Sequence, residues 1–314
     1  MELDPDIDWI LALREGAGLP AVDTMSVAEA RAQYEATATR LCIEEMAMAS
    51  VVDLGAPAGG GEIKVRAYVP QNAPAAQSPA LVFYHGGGWT TGSADTHDRL
   101  CRAFAGLAGC KVLSVDYRLA PENKFPAAVE DAVAAYRWAV DRADELGIDP
   151  ARIAVGGDSA GGNLSAVACH LLRDGSGPRP CFQLLIYPLT DARPDKQAVE
   201  RNGDGFFLTP SLLDWYLDHY LGSPEERVDP RVSPLLASDL SGLPPALVVT
   251  AGFDPLHDQG VAYTEALVRA GVAVEHRDYS GMIHGFLHLS GMVDVARAAV
   301  EGISATLAQA LATP

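Results

Sequence analysis

Cysteine, basic residues and long apolar runs are all scarce in this chain, and each scarcity removes a class of function. The five cysteines, Cys42, Cys101, Cys110, Cys169 and Cys181, are odd in number and never spaced C-x-x-C. Neither a zinc ribbon nor a redox pair is supported, and buried free thiols in a reducing compartment are expected. Lys and Arg number 23 against 41 Asp and Glu, for a formal net charge of −18. No basic run interrupts that negative field, so nucleic acid and anionic lipid surfaces are poor partners. No uncharged apolar stretch reaches the roughly 18 residues needed to span a bilayer. The opening Met1-Glu-Leu-Asp-Pro-Asp is acidic where a secretory signal would be basic and then apolar, which makes the cytoplasm the expected location. The motifs G-x-x-x-x-G-K-[ST], G-x-G-x-x-G and H-E-x-x-H are missing, so no cofactor and no metal are expected.

What remains is ample for a globular enzyme. The 314 residues are 48% hydrophobic and 20% charged, enough to bury a large core without disulfide or metal staples. Two domains fit the length, but large α/β enzymes often form one. The first fifty-odd residues read as helical, with a capping box at Ser26-Val-Ala-Glu29. A Gly/Pro/Ala-rich stretch at 55–61 separates them from a strand–turn–helix rhythm. Residues 63–69 alternate as a half-exposed strand does, while 80–84, 111–115, 153–155 and 182–186 read as buried strands. Residues 246–250 and 272–276 add two more, with helices over 126–146, 159–173, 257–270 and 293–311. Such alternation predicts an α/β fold with a mostly parallel sheet covered on both faces. Residues 192–236 interrupt the rhythm. Thr209-Pro210 starts an aromatic-rich helix there, which either packs into the core or forms a lid.

The strongest local signal is Val155-Gly-Gly-Asp-Ser-Ala-Gly-Gly162, which holds G-x-S-x-G as Gly157, Ser159 and Gly161 after an apolar strand and before a helix. Small neighbours permit a turn tight enough to present a strained serine, and the helix N-terminus puts partial positive charge where an oxyanion would form. A glycine-rich turn with an incidental N-cap serine would look similar, but a second signal argues against it. Leu81-Val-Phe-Tyr-His-Gly-Gly-Gly-Trp89 runs a buried strand into consecutive glycines, whose N–H groups can turn toward a ligand. His85 reads as a residue that fixes this loop rather than as a base.

Serine at its ordinary pKa is a feeble nucleophile and needs a base and an orienting acid. Asp254 falls just past a strand end in Ala246-Leu-Val-Val-Thr-Ala-Gly-Phe-Asp254-Pro, whereas its rival Asp258 sits inside the next helix and reads as a cap. The base comes from His257, His276, His284 or His288. His284, in Ser-Gly-Met-Ile-His-Gly-Phe between the last strand and the last helix, is best placed to reach the carboxyl edge of the sheet. Asp116, Arg118 and Glu122 read as a structural polar network.

The ordered set His-Gly-Gly-Gly at 85–88, Gly-Asp-Ser-Ala-Gly-Gly at 157–162, Asp-Pro-Leu-His-Asp at 254–258 and Ile-His-Gly-Phe at 283–286 resembles the hormone-sensitive-lipase-like carboxylesterases, bacterial family IV of the α/β-hydrolase fold. The likeness also takes in 116–122, Phe125-Pro-Ala-Ala and Tyr187-Pro-Leu-Thr-Asp191, and runs from about residue 62 to the end. It implies Ser159 as nucleophile, His284 as base and Asp254 as its partner. It further implies an oxyanion hole from Gly87, Gly88 and Ala160, with Gly86 shaping the turn. Residues 1–55 and about 192–236 would form a helical cap over a catalytic body at 56–314. Trp89, Phe206, Phe207 and Leu208 are expected in the wall of a pocket for short to medium acyl chains. The expected partner is a small-molecule ester, and the resemblance allows a homodimer through strand 272–276. Amides, lactones or carbamates would use the same residues. A non-catalytic binding role, as in the gibberellin receptors that this family resembles, ranks lower because those receptors lack the base histidine and His284 is present.

Overall fold

Strand β3 (Ser78–Tyr84) shows why the chain folds in layers. Ala80, Val82 and Tyr84 point into one core, Leu81 and Phe83 into another, and all five are fully buried. A strand apolar on both faces needs helices on both sides. The computed structural model describes residues 2–18, 20–59, 61–74, 76–175, 177–194 and 205–312. Its eight-stranded sheet has the order β1-β2-β4-β3-β5-β6-β7-β8. β1 (Met48–Ala58) and β2 (Gly61–Pro70) run antiparallel at one edge. β4 (Lys111–Asp116), β3, β5 (Ile148–Asp158), β6 (Gln183–Ile186), β7 (Ala246–Phe253) and β8 (Val274–Ile283) are parallel to one another.

Helices α1 (Pro5–Gly16) and α2 (Val27–Thr37) precede the sheet. The capping box at the start of α2 is formed: Glu29 N–H donates to Ser26 Oγ at 3.3 Å and Ser26 N–H to Glu29 Oε2 at 2.9 Å. α3 (Asp98–Ala108) packs on one face against the last helix, while α4 (Ala127–Asp141) and the short α5 (Ala143–Leu146) lie on the other. α6 (Ala160–Arg173) follows β5. α7 (Pro210–Tyr220) lies in the interrupting segment, with Leu212 N–H donating to Thr209 Oγ1 at 3.2 Å as its cap. α8 (His257–Arg269) and α9 (Asp294–Ala312) complete the chain. Among the described residues, no helix is long and apolar enough to cross a membrane.

Three expectations need correction. The boundary set between residues 55 and 56 cuts through β1, and residues 55–58 pair with 61–64 of β2 rather than forming a separator. Only Ala56 of β1 is buried, so this edge strand carries no apolar alternation to read. Helix α3 was not expected, although its Leu100, Cys101 and Phe104 are core residues. β8 extends seven residues past 276 because the exposed, charged run Glu275-His-Arg-Asp stays in register with β7. Of the interruption expected at 192–236, residues 195–204 lie outside the described residues.

Phe104 is fully buried on α3, its ring 5.8 Å from that of Phe83. Phe104→Ala should lower the free energy of unfolding by about 3–5 kcal/mol in urea titrations, because the surrounding helices and sheet refill such a cavity only partly.

Candidate active site

Parallel strands release their following loops at one edge of the sheet, and the sequence-predicted residues gather there. Ser159 sits between β5 and α6 with φ 55° and ψ −117°, a region that non-glycine residues rarely occupy. Its N–H donates to the Ile186 carbonyl at 2.8 Å, which ties the turn to β6. A Cβ on Gly157 or Gly161 would overlap the Tyr84 carbonyl, so the turn packs onto β3 only because both positions lack side chains.

His284 follows the end of β8, and its Nε2 lies 2.8 Å from Ser159 Oγ. Its Nδ1 lies 2.7 Å from Asp254 Oδ2, just past β7. Asp254 is 1% exposed, and its other oxygen accepts the Leu256 N–H at 2.8 Å. A carboxylate can only accept, so Nδ1 carries the proton and Nε2 presents its lone pair to the serine hydroxyl. The rival groups lie elsewhere. Asp258 is 2.9 Å from His257 Nδ1 in the first turn of α8, His276 Nε2 is 2.9 Å from Thr250 Oγ1, and His288 faces Asp158.

Gly87, Gly88 and Ala160 border the same cavity as Ser159 and His284. Gly87 has φ 117° and Gly88 φ 57°. The Gly87 carbonyl accepts the N–H groups of Thr90 at 3.1 Å and Thr91 at 2.9 Å, which fixes the turn. Ala160 opens α6, where backbone N–H groups have no partner within the helix. His85 does not face the serine. Its Nδ1 is 2.8 Å from the Gly86 carbonyl, its ring stacks on Tyr117 at 4.3 Å, and burial, then the nearby His97, push its pKa down to about 4. Asp116 accepts from Ala94 N–H at 2.5 Å, Arg118 holds Asp131 at 2.8 Å, and Glu122 pairs with Arg31 at 2.7 Å.

The cavity has a volume of about 520 Å³. Trp89, Phe207 and Leu208 line it, with Trp89 stacked on Tyr220 at 4.2 Å. Phe206 is the exception: its ring rests against Phe253 at 5.3 Å, outside the cavity wall. Neighbouring residues in this stretch project to different sides, so adjacency to Phe207 does not bring Phe206 in. Leu13 of α1, Tyr34 of α2, and Leu213 and Tyr216 of α7 line the wall but were not singled out in the sequence. The aromatic density of α7 was the one legible signal for Leu213 and Tyr216.

Behind the serine lies a second polar group. His97, Asp158 and His288 offer ligand-type atoms within 4.8 Å of one another, the arrangement among the described residues that could hold a metal ion. Burial opposes charge on Asp158, yet His97 and His288 outweigh it and hold its carboxyl well below the usual range. Burial likewise lowers the His288 pKa.

Comparison with known proteins places this geometry in context. Residues 81–288 match the family model described as alpha/beta hydrolase fold. The chain is 49% identical over 295 residues to the carboxylic ester hydrolase LipN of Mycobacterium tuberculosis, covering 91% of this chain and 77% of that one. It is 41% identical over 306 residues to an ethyl acetate hydrolase of Pseudomonas putida, covering 94% and 95%. A hyperthermophilic esterase from Pyrobaculum calidifontis superimposes with a TM-score of 0.90 at 41% identity, over 98% of this chain and 99% of that one. A thermostable esterase from Pseudomonas putida does so with a TM-score of 0.94 at 34% identity, over 99% and 98%.

Gly87→Ala places a side chain at φ 117° against the Thr91 carbonyl. The expected outcome is a loss of about 1–3 kcal/mol in unfolding free energy, measured by urea denaturation, as the strain is either borne or relieved by displacing the turn.

Proposed function

The chain belongs to the α/β-hydrolase family, in its hormone-sensitive-lipase-like branch of carboxylesterases, and on that premise we propose a serine carboxylesterase with Ser159 as nucleophile, His284 as general base and Asp254 as orienting acid. The observation that carries the assignment is the continuous line of contacts from Ser159 Oγ to His284 Nε2 at 2.8 Å and from His284 Nδ1 to Asp254 Oδ2 at 2.7 Å.

The chemistry follows from that line. As Ser159 Oγ attacks the ester carbonyl, its proton passes to His284 Nε2, and Asp254 stabilises the imidazolium that forms. Negative charge grows on the carbonyl oxygen. The N–H groups of Gly87, Gly88 and Ala160 are proposed to receive it, each such donor being worth about 3 kcal/mol in the transition state. His284 then protonates the departing alcohol. Water, deprotonated by the same nitrogen, attacks the acyl-serine and releases the acid with the serine restored.

The cap is proposed to comprise α1, α2 and α7, because Leu13, Tyr34 and Tyr216 from these helices enclose the cavity. A mostly apolar cavity of about 520 Å³ supports short to medium acyl chains over long ones. Five unpaired cysteines support a cytoplasmic location. The outer edge of β8, which ends the sheet, supports pairing with a second copy.

Ser159→Ala and His284→Ala should each lower kcat on p-nitrophenyl butyrate by on the order of 10³-fold with the fold intact by circular dichroism. The wild-type enzyme should be labelled by a fluorophosphonate and the Ser159 variant should not. Across p-nitrophenyl esters, kcat/KM should fall steeply from butyrate to palmitate; equal values would remove the chain-length reading.

A further inference from the structure

The serine, its base and the glycine turn leave unexplained why a buried carboxylate, a buried imidazole and a half-buried one cluster beside them, with Asp158 and His288 at the cavity wall. Asp158 is 3% exposed and His97 is fully buried. Asp158 is the last residue of β5, immediately before Ser159, yet its side chain points across to the glycine turn that follows β3. Gly86 N–H donates to Asp158 Oδ1 at 2.8 Å and lies 3.3 Å from His97 Nε2. His97 Nε2 is itself 3.0 Å from Asp158 Oδ1, and its Nδ1 is 2.8 Å from Thr96 Oγ1. On the far side, His288 Nε2 is 3.8 Å from Asp158 Oδ2. A Cβ on Gly86 would overlap that same oxygen, so carboxylate and turn are in direct contact.

We infer that Asp158 and His97 are positioning residues for the proposed reaction: Asp158 anchors Gly86, and His97 holds Asp158 in place. The inference rests on the esterase reading and assigns these residues no contact with substrate. The reason is geometric. An N–H donor stabilises an oxyanion only if it is aimed before the charge develops, and glycines resist reorientation less than any other residue. Gly86 opens the turn, directly before the proposed donors Gly87 and Gly88. Fixing its N–H on a group covalently joined to Ser159 sets nucleophile and donors in one frame. The carboxylate must remain an acceptor to do this, and a buried carboxylate needs a partner to remain so. His97 supplies that partner from the N-cap position of α3.

The test compares two amides at position 97. Glutamine places its amide nitrogen where Nε2 now stands and reaches Asp158, whereas asparagine reaches only as far as Nδ1 and Thr96. His97→Asn should lower kcat on p-nitrophenyl butyrate by about 10- to 100-fold with KM within about threefold, and His97→Gln should recover kcat to within about fivefold of wild type. A loss that falls equally on both variants, or mainly on KM, overturns the inference. Should His97→Asn not fold, Asp158→Asn and Asp158→Leu make the same comparison one contact nearer. The amide keeps an oxygen for Gly86 and the leucine has none, so kcat should differ by about tenfold or more, and equal values overturn it. If wild-type protein neither turns over esters nor takes a fluorophosphonate label, the esterase reading fails; if it does both and the paired variants match, only this inference fails.

Discussion

Everything at the carboxyl edge of the sheet depends on how closely the turn after β5 can lie against the end of β3. These strands are neighbours, with Tyr84 in register with Gly157, so the turns that follow them must share one space. The sharing is possible because Gly157 and Gly161 present no side chain to the Tyr84 carbonyl. With that approach made, the serine hydroxyl and the Gly87–Gly88 turn face one cavity, and the positive φ at Ser159 is imposed by packing on both sides. β7 and β8 then deliver Asp254 and His284 from farther along the same edge. The helices that enclose the cavity are consequences of this edge, since they cover what it exposes.

Charge is distributed in a way that suits neutral substrates. The surface carries the excess of acidic residues, and arginines such as Arg66 and Arg118 are engaged by neighbouring carboxylates. Inside, burial drives His85 and His288 toward neutrality, and the Asp158 carboxylate is matched by His97. An apolar wall beside a handful of directed polar groups is the usual composition of a site that orients an uncharged ester.

The elements legible in the sequence were those whose residues answer to two demands at once. Strands β3 and β7 and the end of β5 are apolar on both faces and bounded by turn residues, so their carboxyl ends could be read, and with them the glycine turn, Asp254 and Ser159. β1 was illegible because a half-solvated edge strand containing Gly55 and Pro57 carries no hydrophobic period. α3 hid between the glycine-bearing loop after β3 and a two-residue link to β4, although its apolar residues face the core. The cavity wall was the least readable part. Phe206 and Phe207 are adjacent and chemically identical, and only the backbone direction decides that one lines the cavity while the other packs on Phe253. The His97–Asp158–Gly86 contacts join three separate stretches of chain, a proximity that no local pattern encodes.

One backbone contact ties together segments far apart in the order of synthesis. Asp4 N–H donates to the Gly281 carbonyl at 3.0 Å, so α1, which lines the cavity, is moored to β8, the strand that carries His284 at its end. A ribosome therefore releases the first wall of the cavity long before the surface that wall rests on exists. Until the closing strand emerges, the growing polypeptide holds a serine without its imidazole and an early helix with its apolar side uncovered, which makes that helix a natural landing point for a chaperone during translation.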